Sequence, residues 1–221
     1  EHRGCLGKSS GGYGALIHGM KYTKFWGAVG SHSGDAYFDF VYRTEWPQVL
    51  THLQKFSSKT KGFSRLKVNN IKNSLGEDDG RVARFLKYAQ NQTALSSPDI
   101  TALMILAMAA SYDPDTNAPN NFRLPFDLDT GELINDRWKQ WLRHDPIFLV
   151  EKYQKNLKKL KGVYIDCGSR DQYHIHFGSR KVSHELTKQN IQHLYQEFDG
   201  THSGIDYRLD ISLPFLSKAL Q

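Results

Sequence analysis

Short apolar runs and helical periodicity alternate at both ends of the chain. Near the start, residues 2–6 form a short strand-like run, residues 13–20 carry apolar side chains at helical spacing, and residues 25–30 form a short apolar run. A strand, a helix and a strand joined by short connections make a βαβ unit, whose two strands lie parallel. Two further strands are expected at 162–167 and 192–198. The pattern predicts an α/β fold with a mainly parallel sheet flanked by helices.

A long segment, residues 35–145, interrupts this alternation between the second and third strands. Apolar positions in 82–89 recur at i, i+3, i+4 and i+7, which is typical of a helix. Ser97-Pro98 favours a helix start, and residues 100–110 are apolar on nearly every side, as in a buried helix. We predict an inserted helical cap at 35–145 within a single domain of 1–221. Ordinary packing helices that cover no site are the alternative.

Besides a helix at 182–190, two further helices are predicted in the C-terminal third. One begins at Asp145-Pro146 and carries an apolar stripe as far as Leu160. The other begins near Leu209, and Pro214 is expected to kink or restart it.

The two cysteines bear on the order of the strands. Cys5 and Cys167 belong to the first and third strands, and the second strand is expected between them. Residues two strands apart are too distant for a disulfide. We therefore interpret both as small apolar side chains of the sheet.

Composition excludes several classes of protein. The chain has 221 residues, of which 39% are hydrophobic and 24% charged, as in an ordinary globular domain. No apolar run is long enough to cross a bilayer. The net charge of +6 is scattered and accompanies no nucleic-acid-binding motif, so neither a membrane nor nucleic acid is an expected partner. No signal peptide is visible, which favours the cytoplasm, and homo-oligomerisation stays open.

The sequence from Gly7 to Gly11 has the pattern G-x-S-x-G of a nucleophile elbow. It lies between a predicted strand and a predicted helix, which is the context that this motif requires. Gly7 and Gly11 are expected to leave room where a Cβ atom would clash, and Ser9 is expected to have a strained backbone. The Ser9 hydroxyl would then be exposed beside a helix N-terminus, which favours negative charge. A Gly/Ser-rich loop is the alternative.

An acid and a base follow later strands in the order Ser…Asp…His. Asp171 comes after the third strand and His202 after the fourth. Because the carboxyl ends of parallel strands share one edge of a sheet, these side chains are expected beside Ser9. This chain order is the one that α/β-hydrolases use. Ser10 is a weaker candidate nucleophile, because it breaks the motif's spacing, and Asp166 is an alternative acid inside the strand.

The motifs around these residues resemble those of the putative esterase family. The resemblance rests on residues 7–15, 166–171 and 198–203, and it covers both ends of the chain. That family includes esterase D (S-formylglutathione hydrolase), enterochelin esterases, feruloyl esterases and mycolyltransferases, and the similarity is strongest to bacterial enterochelin-esterase-like members. It implies an α/β-hydrolase fold and hydrolysis of a small-molecule carboxylic ester or thioester through an acyl-enzyme.

The resemblance implies a role for each site residue. Ser9 would be the nucleophile, His202 the general base and then acid, and Asp171 the residue that orients His202. The backbone N–H of Ser10 would donate to the oxyanion. Four further residues are candidates for lining the pocket: Lys8, Asp35, Tyr173 and His176. Four aromatic residues could wall it or belong to the core: Phe122, Phe126, Trp138 and Trp141.

No metal or organic cofactor is required for this chemistry. His174 and His176 alternate in sequence, but they lack assignable third and fourth metal ligands, so surface or pocket-lining histidines are favoured.

The chain departs from the family at its front, where the elbow begins within ten residues of the first residue. We expect the N-terminal strands of the domain, and the loop that supplies a second oxyanion N–H, to be missing from this sequence. Two alternatives to a hydrolase stay open. One is an acyltransferase of the same fold, and the other is a truncated or non-catalytic binding module.

Overall fold

The computed structural model describes residues 2–58 and 75–221, and its contacts divide the chain into two compact units. The first comprises Glu1–Arg43 with Arg143–Gln221, and the second comprises Thr44–Leu142. The strands are β1 (Gly4–Lys8), β2 (Ala28–His32), β3 (Gly162–Gly168) and β4 (Leu194–Phe198). In the described ranges, the α-helices are α1 (Ser10–Lys21), α2 (Phe38–Val41), α3 (Trp46–Gln54), α4 (Arg81–Gln90), α5 (Ser97–Tyr112), α6 (Asn135–Leu142), α7 (Pro146–Lys152), α8 (Gln154–Leu157), α9 (Ile175–Lys188) and α10 (Leu209–Leu220). Short 3-10 helices lie at Arg43–Glu45 and Asp206–Arg208.

The sheet of the first unit is parallel throughout, in the order β1-β2-β3-β4. This confirms the predicted fold class, and it places β2 between the strands that carry Cys5 and Cys167, both of which are free thiols. In register, Lys8 lies opposite His32, and His32 lies opposite Asp166. The carboxyl ends of the strands therefore share one edge of the sheet.

The second strand begins and ends later than its apolar pattern predicts. Residues 25–30 were expected, whereas β2 is Ala28–His32, so Ser31 and His32 belong to the strand rather than to the following loop. The apolar run ends early because these two side chains are polar, yet both are buried. His32 can be buried because its Nδ1 lies 2.7 Å from an Asp166 carboxylate oxygen.

Helices cover both faces of this sheet, because successive strand side chains point to opposite sides. Val29, Val163 and Ile165 pack into a core with residues of α1, α7, α8 and α9. Ala28 and Tyr164 pack on the other face with residues of α10. The sheet therefore lies between two layers of helices, as in other α/β folds with a parallel sheet.

One helix prediction in the C-terminal third is wrong in detail, and the restart expected as one alternative at Pro214 is absent. The single helix expected from Pro146 to Leu160 is divided into α7 and α8, because Tyr153 has the non-helical dihedral angles φ −106° and ψ 16°. Pro214 does not restart the last helix, and α10 continues through it as one element.

The described residues of the second unit form helices and a turn-rich segment at 113–134, and they pack around aromatic side chains. The ring of Trp46 lies 4.8 Å from that of Phe126 and 5.1 Å from that of Trp138, measured between centroids. Phe126, Trp138 and Trp141 are all buried, so they belong to this core. Phe122 instead lines a cavity of about 580 Å³ within the same unit. The part of the predicted insertion at 59–74 lies outside the described residues.

None of the helices in 2–58 and 75–221 is long and apolar enough to cross a bilayer.

Candidate active site

Ser9 lies in a tight turn between β1 and α1 and has the left-handed dihedral angle φ 56°, with ψ −129°. Such a backbone is strained for a residue with a side chain, and it persists only where the surroundings enforce it. A Cβ atom on Gly7 would collide with the carbonyl group of Gly11, as the motif predicts. The same expectation is wrong for Gly11 itself, because its own Cβ position is open. The second crowded glycine is Gly12, where a Cβ atom would lie 2.9 Å from the Cα atom of Gly34.

Backbone hydrogen bonds hold the strained turn at both ends. The Ser9 N–H donates to the carbonyl oxygen of His32 over 2.9 Å, and the Ser9 carbonyl accepts from the Tyr13 N–H over 3.0 Å. Ser10 is the first residue of α1, so its N–H has no acceptor within the helix. The turn therefore presents the partly exposed Ser9 side chain next to an N–H group at a helix N-terminus.

Asp171 and His202 are joined by a hydrogen bond between buried side chains. His202 Nδ1 lies 2.7 Å from Asp171 Oδ2, and the other carboxylate oxygen accepts the Tyr173 N–H over 2.9 Å. Asp171 follows β3 and His202 follows β4, as the order of strands predicts. With a proton on Nδ1 donated to the carboxylate, His202 Nε2 is free to accept a second proton.

The pKa of Asp171 reflects two opposing effects. Burial disfavours the charged carboxylate and raises its pKa, whereas the hydrogen bond and the charge of His202 lower it. The net pKa lies below the usual value, so this carboxylate is ionised at neutral pH.

Three consecutive residues position His202. Besides the Asp171 carboxylate at Nδ1, Gln172 Oε1 accepts the His202 backbone N–H over 3.1 Å. The Tyr173 ring lies edge-on to the imidazole, with ring centroids 4.9 Å apart and planes at 83°. No sequence signal singled out Gln172, because its contact depends on how the loop after β3 meets the loop after β4. In the described residues, no hydrogen bond joins the Ser9 hydroxyl to His202, and such contacts are often long before a substrate binds.

The remaining predicted pocket residues lie in different surroundings. Asp35 accepts hydrogen bonds from Ser10 and Tyr42, whereas Lys8 is exposed at the end of β1. His176 is buried against the Phe177 ring, with centroids 4.2 Å apart, and burial and the charge of Arg180 lower its pKa. The structure thus brings Asp35 into a hydrogen-bonded contact with Ser10 of the elbow, whereas the side chain of Lys8, itself an elbow residue, is exposed.

The alternative acid and the alternative metal site can both be placed. Asp166 lies within β3, where its carboxylate contacts His32 and Arg208 rather than His202. Across 2–58 and 75–221, no three His, Cys, Asp or Glu side chains are grouped as metal ligands, and His174 and His176 belong to no such group.

The chain was compared with known proteins. Its residues 1–213 match the sequence profile of a family described as putative esterase, and no curated protein sequence matches. Similar solved structures include a ferulic acid esterase, with 12% identity, a TM-score of 0.46, and 97% of this chain and 50% of that one covered. Another is the acetyl esterase MekB, with 16% identity and a TM-score of 0.43. The match covers 97% of this chain and 61% of that one. A third is an alpha/beta fold family hydrolase from Bacillus anthracis, with 13% identity and a TM-score of 0.40. The match covers 98% of this chain and 66% of that one.

The chain thus spans 50% to 66% of the length of these solved structures. The sequence profile, by contrast, matches nearly all of the chain. On that match, the chain belongs to the putative esterase family.

Proposed function

We propose that this protein is a serine hydrolase that cleaves a carboxylic ester or thioester through an acyl-enzyme. Ser9 is the nucleophile, His202 the general base and acid, and Asp171 the orienting carboxylate. The observation that carries the proposal is the 2.7 Å hydrogen bond between His202 and Asp171. Both residues follow strands of the parallel sheet, and the strained Ser9 follows another strand of the same sheet. Membership of an esterase family supports the same reaction class.

The proposed reaction begins when His202 Nε2 takes the proton of the Ser9 hydroxyl as that oxygen attacks the ester carbonyl carbon. The carbonyl oxygen becomes an oxyanion, which the Ser10 N–H at the start of α1 stabilises. His202 then gives the proton to the leaving alcohol or thiol, and the acyl group stays on Ser9. A water molecule, deprotonated by His202, then attacks the acyl carbon. The bond from that carbon to the Ser9 oxygen breaks, the Ser9 oxygen takes the proton back from His202, and the carboxylic acid is released.

Asp171 contributes by keeping one tautomer of the imidazole and by stabilising the imidazolium that forms during both steps. Its lowered pKa fits this role, because only the ionised carboxylate accepts the Nδ1–H bond and offsets the positive charge.

The test is covalent labelling with a fluorophosphonate, which modifies activated serine hydroxyls. We expect the wild-type protein to be labelled and Ser9→Ala not to be, with kcat on an activated ester falling about 10⁴-fold or more because the nucleophile is gone. Ser217→Ala is the matched control, since Ser217 is an exposed serine of α10. Labelling of Ser9→Ala at the wild-type rate would contradict the assignment of the nucleophile.

A further inference from the structure

Asp35 is a buried carboxylate in contact with the residue that follows Ser9. Its side chain is 5% exposed, and its Oδ2 atom accepts two hydrogen bonds of 2.9 Å, from the Ser10 hydroxyl and from the Tyr42 hydroxyl. His202 and Asp171 are also close enough for their charges to act on it. Three of the four groups that Asp35 senses therefore belong to the candidate active site.

The loop that carries Asp35 is locked against the first turn of α1. A Cβ atom on Gly34 would lie 2.8 Å from the carbonyl carbon of Gly12, so the two backbones are in direct contact. Ser33 and Tyr37 have positive φ angles of 44° and 62°, a conformation that packing must enforce. This geometry leaves Asp35 little freedom to move away from Ser10.

Further hydrogen bonds support the loop at its far end. The buried Asp145 carboxylate accepts the N–H groups of Tyr37 and Phe38 over 3.0 and 2.7 Å, where α2 begins. Helix α2 in turn leads to Tyr42, whose hydroxyl donates to Asp35. The Oδ2 atom of Asp35 is thus held by hydroxyl groups from two parts of the chain, Tyr42 after α2 and Ser10 in α1.

A buried carboxylate is costly to maintain unless it is paired or well hydrogen-bonded. The pKa of Asp35 lies above its usual value, because burial and the charge of Asp171 raise it by more than the Tyr42 and Ser10 hydrogen bonds and the charge of His202 lower it. A role in packing alone would be met more cheaply by an apolar side chain of similar size. The unfavourable burial of this carboxylate therefore indicates a geometric or electrostatic role, and its hydrogen bond to Ser10 indicates where that role is exerted.

We propose that Asp35 is a positioning residue: its hydrogen bond with the Ser10 hydroxyl fixes Ser10 and so orients the Ser10 backbone N–H toward the oxyanion. This inference rests on the proposed function, which assigns that N–H to oxyanion stabilisation. A donor of this kind contributes about 10²–10³ in rate, and displacement by about 1 Å loses much of it. Because the oxyanion exists only after attack, loss of the hydrogen bond between Asp35 and Ser10 lowers kcat and leaves KM nearly unchanged.

The experiment measures kcat and KM on p-nitrophenyl acetate, and the rate of fluorophosphonate labelling, for Ser10→Ala, Asp35→Asn and the double variant. Ser10→Ala keeps the backbone N–H and a good helix former, so the variant folds even if Asp35→Asn does not. We expect each single variant to lose about tenfold or more in kcat, with KM within about twofold. The double variant should lose little more than either single variant, because both break the same contact.

Tyr42→Phe is the matched control, since it removes a hydrogen bond of the same length to the same Asp35 oxygen without touching α1. It should lower the thermal unfolding temperature about as much as Ser10→Ala does, and lower kcat less. Unchanged kcat in Ser10→Ala, with wild-type labelling at Ser9, overturns the positioning role alone. Absence of labelling in the wild-type protein overturns the proposed function, and the positioning role with it.

Discussion

The first unit contains two Ser, His and Asp arrangements, and the better bonded of the two is not the candidate active site. In one, Ser212 Oγ lies 2.9 Å from His32 Nε2, and His32 Nδ1 lies 2.7 Å from Asp166 Oδ1. In the other, His202 and Asp171 are joined over 2.7 Å, but Ser9 makes no hydrogen bond to the imidazole. Hydrogen bonding alone would therefore select the buried trio of Ser212, His32 and Asp166.

Access, strain and helix position separate the two. Ser212 and Asp166 are 0% exposed and His32 is 4% exposed, so no substrate reaches them. Ser212 also lies inside α10, whereas the partly exposed Ser9 has a positive φ and directly precedes α1. A nucleophile needs a reachable hydroxyl and an N–H donor beside it, and in these respects only Ser9 qualifies of the two.

The buried trio is part of a larger polar network that fastens α10 to the sheet. Arg208 Nε donates to Asp166 Oδ2 over 2.9 Å, and its Nη2 donates to the Tyr164 hydroxyl over 3.0 Å and to Gln196 Oε1 over 2.6 Å. The Tyr164 hydroxyl in turn donates to Asp166 over 2.8 Å. The same residue types thus support the structure in one place and are proposed to act on a substrate in the other.

Exchanging each aspartate for asparagine separates these roles, and the largest effect is expected at Asp171. Asp171→Asn should lower kcat about 10⁴-fold, because an amide favours the wrong tautomer of His202 and cannot offset the imidazolium. Steady-state kinetics on an activated ester measure the loss. A fall of less than tenfold would contradict the role proposed for Asp171.

Asp166→Asn should act on stability instead. It leaves the guanidinium of Arg208 buried without its counter-charge, which costs roughly 3–5 kcal/mol in free energy of unfolding. Urea unfolding at neutral pH measures this quantity, and kcat of the fraction that remains folded should stay within about threefold of wild type. A protein of unchanged stability would show that the network does not hold the fold.

Ser212→Ala gives a smaller effect of the same kind. The substitution leaves His32 Nε2 buried without a partner, so we expect a loss of about 1–3 kcal/mol in free energy of unfolding. Fluorophosphonate labelling should proceed at the wild-type rate. Loss of labelling in this variant, with the fold intact, would assign the reactive serine to the buried trio.

The smallest expected effect is a pH dependence of stability. The folded-state pKa of Asp171 is lowered, so its contribution to stability is full above the unfolded pKa of about 3.9 and disappears as pH falls through the folded pKa. The wild-type protein should be more stable than Asp171→Asn at pH 7, and the gap should close below about pH 4. Thermal unfolding of both proteins across pH 2–7 tests this, and a gap that widens on acidification would contradict it.

The apolar pattern was sufficient for the order and direction of the strands, because buried parallel strands read as short apolar runs joined through helices. It also located Ser9, Asp171 and His202 after β1, β3 and β4. It could not locate contacts that depend on side chains distant in sequence. Asp35 and Ser10 are 25 residues apart, and nothing in either sequence neighbourhood identifies the partner.

Polar residues inside elements were the second source of error. The sequence suggests a loop at His32, because burying an imidazole without hydrogen-bond partners is unfavourable. Its partners in the fold are Asp166 and Ser212, which are 134 and 180 residues away in sequence. The break at Tyr153 is similar, because the apolar stripe continues across it while the backbone does not.

His32 bears a consequence for anyone who edits this protein. Its backbone carbonyl holds the N–H of Ser9, and its imidazole holds Ser212 in α10. His32 therefore links the last helix, which lies on the far face of the sheet from α1, to the elbow. Trimming or redesigning that helix is therefore expected to disturb the backbone that holds Ser9, even though no residue of α10 is proposed to take part in the chemistry.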